Sequence, residues 1–311
     1  MEPNPPISNP KSSIQLHIFR YTIVPANSTP TLFHKKLPNQ KGVAIQEFIA
    51  NLGKRKDFVY RNRTYALLGF TEYHEDESTY FVGQLAKKKI VSVGAISPSN
   101  SIVQNPTDDW NASWIVINID QQYIAAECNS EFTPSNVSKS LKEIFDSHLV
   151  LTYNHTCFIK PFTQKDAFWD IVNNAEKIYS IKLSLISPNI LDAEKNTRAV
   201  LDELQSSFNQ QELIVSLKNS RGELKIDRNR NRIQGPISYI EEGEGTWETK
   251  TTSKGDTTAT TRKSGEYQHR VEAEVPPAIM KSESLSEQSS LDERQLDARL
   301  ISSVADFIKT R

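Results

Sequence analysis

Residues 114–149 read WIVINIDQQYIAAECNSEFTPSNVSKSLKEIFDSHL. Two apolar runs, 114–119 and 123–127, flank Asp120-Gln121-Gln122, the length of a tight hairpin connection. Thr133-Pro134-Ser135 then opens a helix over 135–149, with a hydroxyl residue at the cap and proline just inside. Downstream, 151–160 reads as a strand. Residues 166–177 carry Phe168, Ile171, Val172 and Ala175 at helical spacing, and 178–186 alternates as a strand again. Residues 192–209 place Val200, Leu201, Leu204 and Phe208 toward a core, as a helix. A hairpin at 213–218 and 222–226 follows, around Asn219-Ser220-Arg221-Gly222. From 151 the order is strand–helix–strand–helix–strand–strand, which predicts an α+β fold with helices on one face of a largely antiparallel sheet.

Upstream, 14–24 alternates as a strand, and 43–52 has Val43, Ala44, Phe48, Ile49 and Leu52 at helical spacing, stopped by Gly53. Strand-like runs follow at 57–60, 64–71 and 78–85, with a further one at 89–96, and 97–109 reads as a loop. These assignments predict two mixed domains, 14–130 and 131–235, after a disordered leader at 1–13. Residues 236–275 alternate Thr and Lys as a polar β-ribbon that needs a partner surface. A linker at 276–290 leads to an amphipathic helix, 291–311, whose stripe includes Leu296, Leu300, Ile301 and Val304.

The chain has 311 residues and a net charge of −1, which excludes a globally basic nucleic-acid binder and an acidic solvating chain. Affinity for polyanions must therefore come from local clustering. Two cysteines, Cys128 and Cys157, exclude a disulfide scaffold and a four-cysteine zinc site. The N-terminal residues have neither a basic nor an apolar signal region, and no apolar run reaches membrane-spanning length, so a cytoplasmic protein without membrane insertion is expected.

Basic clustering is the strongest chemical signal. Lys54, Arg55, Lys56, Arg61 and Arg63 face only Asp57, a net +4, with Phe58 and Tyr60 among them. Lys87-Lys88-Lys89 adds a second run. Lys218, Arg221, Lys225, Arg228, Arg230 and Arg232 against Glu223 and Asp227 give another +4. Such surfaces suit a phosphate backbone, whose affinity is salt-dependent; the bland reading is solvated hairpin ends. Glu212 followed by Glu223-Leu224-Lys225 loosely matches the acid…acid-x-Lys layout of a Mg²⁺-dependent nuclease, although the same pattern arises from cross-strand ion pairs. His148, His155 and Cys157 lie close in sequence, yet a metal site needs three or four converging ligands. Glu72, Glu75, Asp76 and Glu77 with His74 could bind a cation, but the plainer reading is an acidic turn with no fixed geometry.

Several phrases carry a resemblance: "FIANL", "TYALLGFTEYHEDESTYFVGQL", "WIVINIDQQYIAAE" and "FIKPFTQKDAFWDIVNNAEKIYSIKLSLISPN". Their order over about residues 14–230 resembles the group of bacterial phage-defence proteins that includes the phage-lambda exclusion protein RexA. The resemblance implies a two-domain α+β protein, a dimer, sequence-tolerant DNA binding, a role in abortive infection and a partner encoded nearby. It brings no catalytic residues.

The expected function is thus a non-enzymatic, cytoplasmic nucleic-acid-binding component of an anti-phage system. It would bind DNA rather than RNA through Lys54, Arg55, Lys56, Arg61, Arg63, Lys218, Arg221, Arg228, Arg230 and Arg232. No cofactor or metal is expected, and the C-terminal helix would mediate homo-oligomerisation. The alternatives are a Mg²⁺-dependent nuclease built on Glu212, Glu223 and Lys225, and an adaptor docking through the C-terminal ribbon and helix.

Overall fold

Strand β1 (Ser13–Pro25) is buried on both faces from Leu16 to Val24, its polar His17, Arg20 and Thr22 included. Phe19, Tyr21 and Ile23 enter one core; Leu16 and Ile18 enter another on the opposite face. The computed structural model describes residues 13–26, 31, 33–96, 102–186, 199–201, 203–204, 207, 210–228, 231–274 and 287–310. Helix α1 (Val43–Ala50) follows β1. Then come strands β2 (Arg55–Tyr60), β3 (Arg63–Glu75), β4 (Ser78–Ile96), β5 (Ile102–Asn118) and β6 (Tyr123–Glu127). Helix α2 (Pro134–Tyr153) leads into β7 (His155–Pro161). Thr133 caps α2, its side chain accepting from the backbone of Asn136. The second half comprises α3 (Ala167–Asn173), β8 (Ala175–Ile186), β9 (Glu212–Lys218), α4 (Asn231–Glu241), β10 (Gly245–Ser253), β11 (Thr260–Lys263), β12 (Arg270–Glu274) and α5 (Glu287–Lys309).

The architecture is α+β. A large antiparallel sheet has the order β12-β1-β6-β5-β4-β3-β2, with β7 also on β1. One edge of β1 is thus shared in tandem: β12 pairs with residues 13–17 and β7 with 19–25. One face of this sheet packs on α1 and α2, burying Phe48, Leu141, Ile144 and Phe145. The other face is covered by α5 through Leu296, Leu300, Ile301, Val304 and Ala305. A smaller sheet, β11-β10-β8-β9, packs on α3 and α4, with Phe168, Trp169, Ile237, Ile240 and Trp247 in its core. No helix among the described residues is long and apolar enough to cross a membrane.

Several expectations are corrected. The boundary at 130/131 cuts through the large sheet, because β1 needs partners along its whole edge and β7 and β12 supply them. The stretch 236–275 is no free ribbon: β10 pairs with β8, β12 joins β1, and its first residues belong to helix α4. The C-terminal helix uses its apolar stripe within the chain rather than on another copy. Residues 222–226 form no second hairpin strand; they make only a bridge at Glu223 to Ile178. The loop expected at 97–109 is largely strand, since β5 begins at Ile102. The leader except Ser13, most of the helix at 192–209 and most of the linker at 276–290 lie outside the described residues.

Candidate nucleic-acid interface

The 54–63 cluster sits on the terminal strand of the large sheet and the turn beyond it. Arg61 and Asn62 have φ of 48° and 60° and join Tyr60 to its partner Arg63. Two left-handed residues in a two-residue loop match the right-handed twist of the flanking strands. β3 pairs next with β4, placing Tyr65 opposite Lys87. The hairpin register therefore carries Lys87, Lys88 and Lys89 beside the 54–63 cluster. Two runs separate in sequence meet at one end of the sheet, where strand alternation puts Lys56, Lys87 and Lys89 on one face and Arg55 and Lys88 on the other.

There, Lys54, Arg55, Lys56, Arg61 and Arg63 are all exposed. Arg55 grips Asp57 with two bonds, of 2.7 Å from Nε and 2.9 Å from Nη2, and these hold the Asp57 carboxyl below its ordinary range. The same guanidinium lies 4.7 Å from the Trp110 ring centre. Lys56 Nζ is 5.7 Å from the Phe48 ring and 5.8 Å from Phe58, and Arg61 is 5.2 Å from the Tyr60 ring. Lys88 pairs with Asp108 at 2.7 Å, and Lys87 and Lys89 share Glu131 at 3.1 Å and 3.5 Å. Lys87 hydrogen bonding lowers the Glu131 pKa. Among the described residues, Lys54, Lys56, Arg61 and Arg63 have no carboxylate partner. A cation over a ring face is attracted by the ring's quadrupole, which helps to hold Arg55, Lys56 and Arg61 in place.

The second predicted cluster is elsewhere. Lys218 ends β9 on the smaller sheet, and Arg221 sits in a turn closed by the Asn219 side chain, whose Oδ1 accepts from its backbone N–H at 2.9 Å. Arg228 pairs with Asp166 and lies 5.7 Å from the Trp169 ring, so part of its charge is spent locally. Arg230 lies outside the described residues, and Arg232 is on α4. This group is on a different sheet from the β2–β3 cluster, and the described contacts do not join the two.

The nuclease layout is not assembled. Glu212 is opposite Ile186 at one end of β8 and Glu223 opposite Ile178 at the other, roughly 26 Å apart at about 3.3 Å per residue. Glu212 accepts from the Ser184 hydroxyl and lies 3.6 Å from Lys160. His148 stacks on Phe48, His155 bonds the Tyr153 carbonyl through Nδ1 at 2.7 Å, and Cys157 is fully buried, so these three do not converge. No group of three or more His, Cys, Asp and Glu among the described residues is placed to hold a metal ion. Burial pushes the Cys128 thiol up to about 12 and raises the Cys157 thiol well above its ordinary value, which leaves neither as a ready nucleophile. The acidic turn has a structural use: Asp76 pairs with Lys309 at the end of α5.

Sequence reading had no signal for a groove between the two sheets. Two abutting cavities, of about 570 Å³ and about 360 Å³, share Lys160, Pro161, Thr246, Lys263 and Gly265. Lys139, Lys142 and Lys182 complete a lysine lining drawn from separate elements. Three of these cations are already engaged: Lys142 by Asp146, Lys160 by Glu212, and Lys263 by Glu248 at 3.5 Å. The β2–β3 surface has the larger share of uncommitted charge. A family model described as a domain of unknown function matches residues 46–288, from within α1 to the start of α5. No curated protein matches the chain.

Proposed function

The chain belongs to the family of that domain of unknown function, DUF4747, and for this member we propose nucleic-acid binding, with DNA as the polymer, through the β2–β3 hairpin and the adjoining middle of β4. The observation that carries the reading is the meeting of residues 54–63 and 87–89 at one end of the sheet, where exposed Lys56 and Arg61, with no carboxylate partner among the described residues, lie over Phe48, Phe58 and Tyr60. Phosphates would replace water and counterions around Lys54, Lys56, Arg61 and Arg63, and affinity would come from counterion release rather than from base reading. The protein acts by binding, without chemistry on the polymer. A place in anti-phage defence rests on the RexA resemblance alone, and cytoplasmic residence belongs to the same proposal.

The test is an affinity comparison on one DNA probe at fixed salt. Changing Lys54, Lys56, Arg61 and Arg63 together to alanine should weaken binding at least about tenfold and equally for unrelated sequences. The corresponding change of Lys218, Arg221 and Arg228 should cost clearly less, since Arg228 is held by Asp166. Unchanged affinity in the four-residue variant would remove the hairpin from the interface.

A further inference from the structure

The groove between the two sheets is walled by segments that meet only in the fold. β7 and the first half of α2 form one side; β10, β11 and the turn after β11 form the other. Its larger cavity, about 570 Å³, has the size of a site for a small organic molecule. Phe158 and Pro161 contribute to an apolar wall. Lys139 and Lys142 reach the cavity from α2, Lys160 from β7 and Lys263 from β11. Among the described residues these four lysines face one carboxylate in the lining, Glu266.

The ion pairs leave most of this charge available. Lys139 is exposed and has no carboxylate partner among the described residues. Lys160 stands 3.6 Å from Glu212 and Lys263 3.5 Å from Glu248, both looser than the roughly 2.7–2.9 Å of a charge-assisted hydrogen bond. Glu212 and Glu248 also line the smaller cavity and not the larger one. Lys142 is the exception, held by Asp146 and lying 3.2 Å from the Thr156 hydroxyl. The Phe158 ring centre is 5.7 Å from Lys142 Nζ and 5.6 Å from Lys160 Nζ, an attraction that helps to keep both ammonium groups at the wall.

The donor set selects the anion. Every cation lining the larger cavity is a lysine, and none is an arginine. Ammonium groups are compact point charges and suit a tetrahedral dianion approached from several sides, whereas a planar carboxylate is best matched by the guanidinium fork. The apolar wall requires an organic body beside the charged group. We infer that this groove binds a small phosphate monoester, its apolar body against Phe158 and Pro161 and its phosphate among Lys139, Lys160 and Lys263. The site is separate from the β2–β3 hairpin and does not rest on nucleic-acid binding there.

Calorimetric titration of the full chain with 1-naphthyl phosphate tests this. Binding tighter than about 1 mM is expected, with 1-naphthol and inorganic phosphate each at least about tenfold weaker, since each keeps only one of the two contacts. Lys139→Glu should weaken the ester about tenfold. Gly265→Leu should do the same by filling the groove: a Cβ there meets nothing nearer than the Pro161 Cγ, at 4.0 Å, so the fold has room for it. Lys139 is exposed and unpaired, so its variant carries the test should Gly265→Leu not fold. The alanine variant of Lys54, Lys56, Arg61 and Arg63 should bind the ester as the wild type does. No binding at about 1 mM, naphthol bound as tightly as its phosphate, or wild-type affinity in Lys139→Glu overturns the inference. So does loss of ester binding in the hairpin variant, which would move the site to the hairpin.

Discussion

Three histidines share one electrostatic situation. His17, His148 and His155 are each held below the ordinary imidazole value of 6.5, and burial is the largest cause at each. His17 keeps a contact of 3.2 Å with Gln268, and His148 stacks 5.3 Å from the Phe48 ring centre. A depressed folded-state pKa means that the unfolded chain binds protons first as pH falls. The contribution to stability is therefore complete above about 6.5 and is lost as pH drops through the lower folded-state values. The melting temperature should fall between pH 7.5 and pH 5, and replacing His148 and His155 by Gln should flatten that fall. A pH-independent melting temperature over this range would contradict the burial assigned to these rings. Residue types alone left His148 and His155 open between ligand and structural roles; only the packing around them decides.

At the scale of elements, α5 is the clearest case of a segment whose pattern was legible and whose destination was not. The stripe of Leu296, Leu300, Ile301 and Val304 states that one face must be covered. It cannot say by what, because the covering residues, Leu16, Ile18, Val82 and Val116, belong to distant strands. Tyr73 fixes the helix further by donating to Asp297 at 2.6 Å. Leu300→Ala should cost about 2–5 kcal/mol in urea unfolding, the range for a fully buried leucine. A loss below about 1 kcal/mol would mean that α5 is not docked in solution. Other elements hid behind local signals. α2 runs to Tyr153, past the expected stop, because its end is set by Asn154 at φ 55°, a weaker terminator than glycine. α4 contains Pro236 after Gly235, which masks the helical spacing of Ile233, Ile237 and Ile240. In β5, Pro106 and Asp108-Asp109 imitate a loop, yet an outward-facing proline is compatible with an edge strand.

At the scale of the molecule, the two sheets meet at a buried ion pair. Arg20 Nε lies 3.0 Å from Glu244 Oε1, both side chains are almost wholly buried, and Thr22 donates to the other Glu244 oxygen at 2.8 Å. Gly243, at φ 80°, allows this approach: a Cβ there would stand 2.7 Å from the Arg20 Cβ. Glu244→Gln leaves the arginine buried without its counter-charge and should destabilise by about 3–5 kcal/mol in denaturant unfolding. A loss under about 1 kcal/mol would show that this contact does not join the sheets. The pair was invisible in the sequence, since Arg20 and Glu244 lie more than two hundred positions apart. The candidate site was half legible. Residues 54–63 and 87–89 are recognisable as charge runs, but their convergence depends on the β3–β4 register, and Trp110 enters only through the long β5.

The central claim, that this surface binds a phosphate backbone, is tested most directly by the salt dependence of DNA binding by the wild-type chain. With Lys54, Lys56, Arg61 and Arg63 as the contacts, the logarithm of affinity should fall linearly with the logarithm of salt concentration, with a slope of about −4. Binding that ignores salt, or no binding at low salt, would contradict the account and return these residues to the role of solvated hairpin ends.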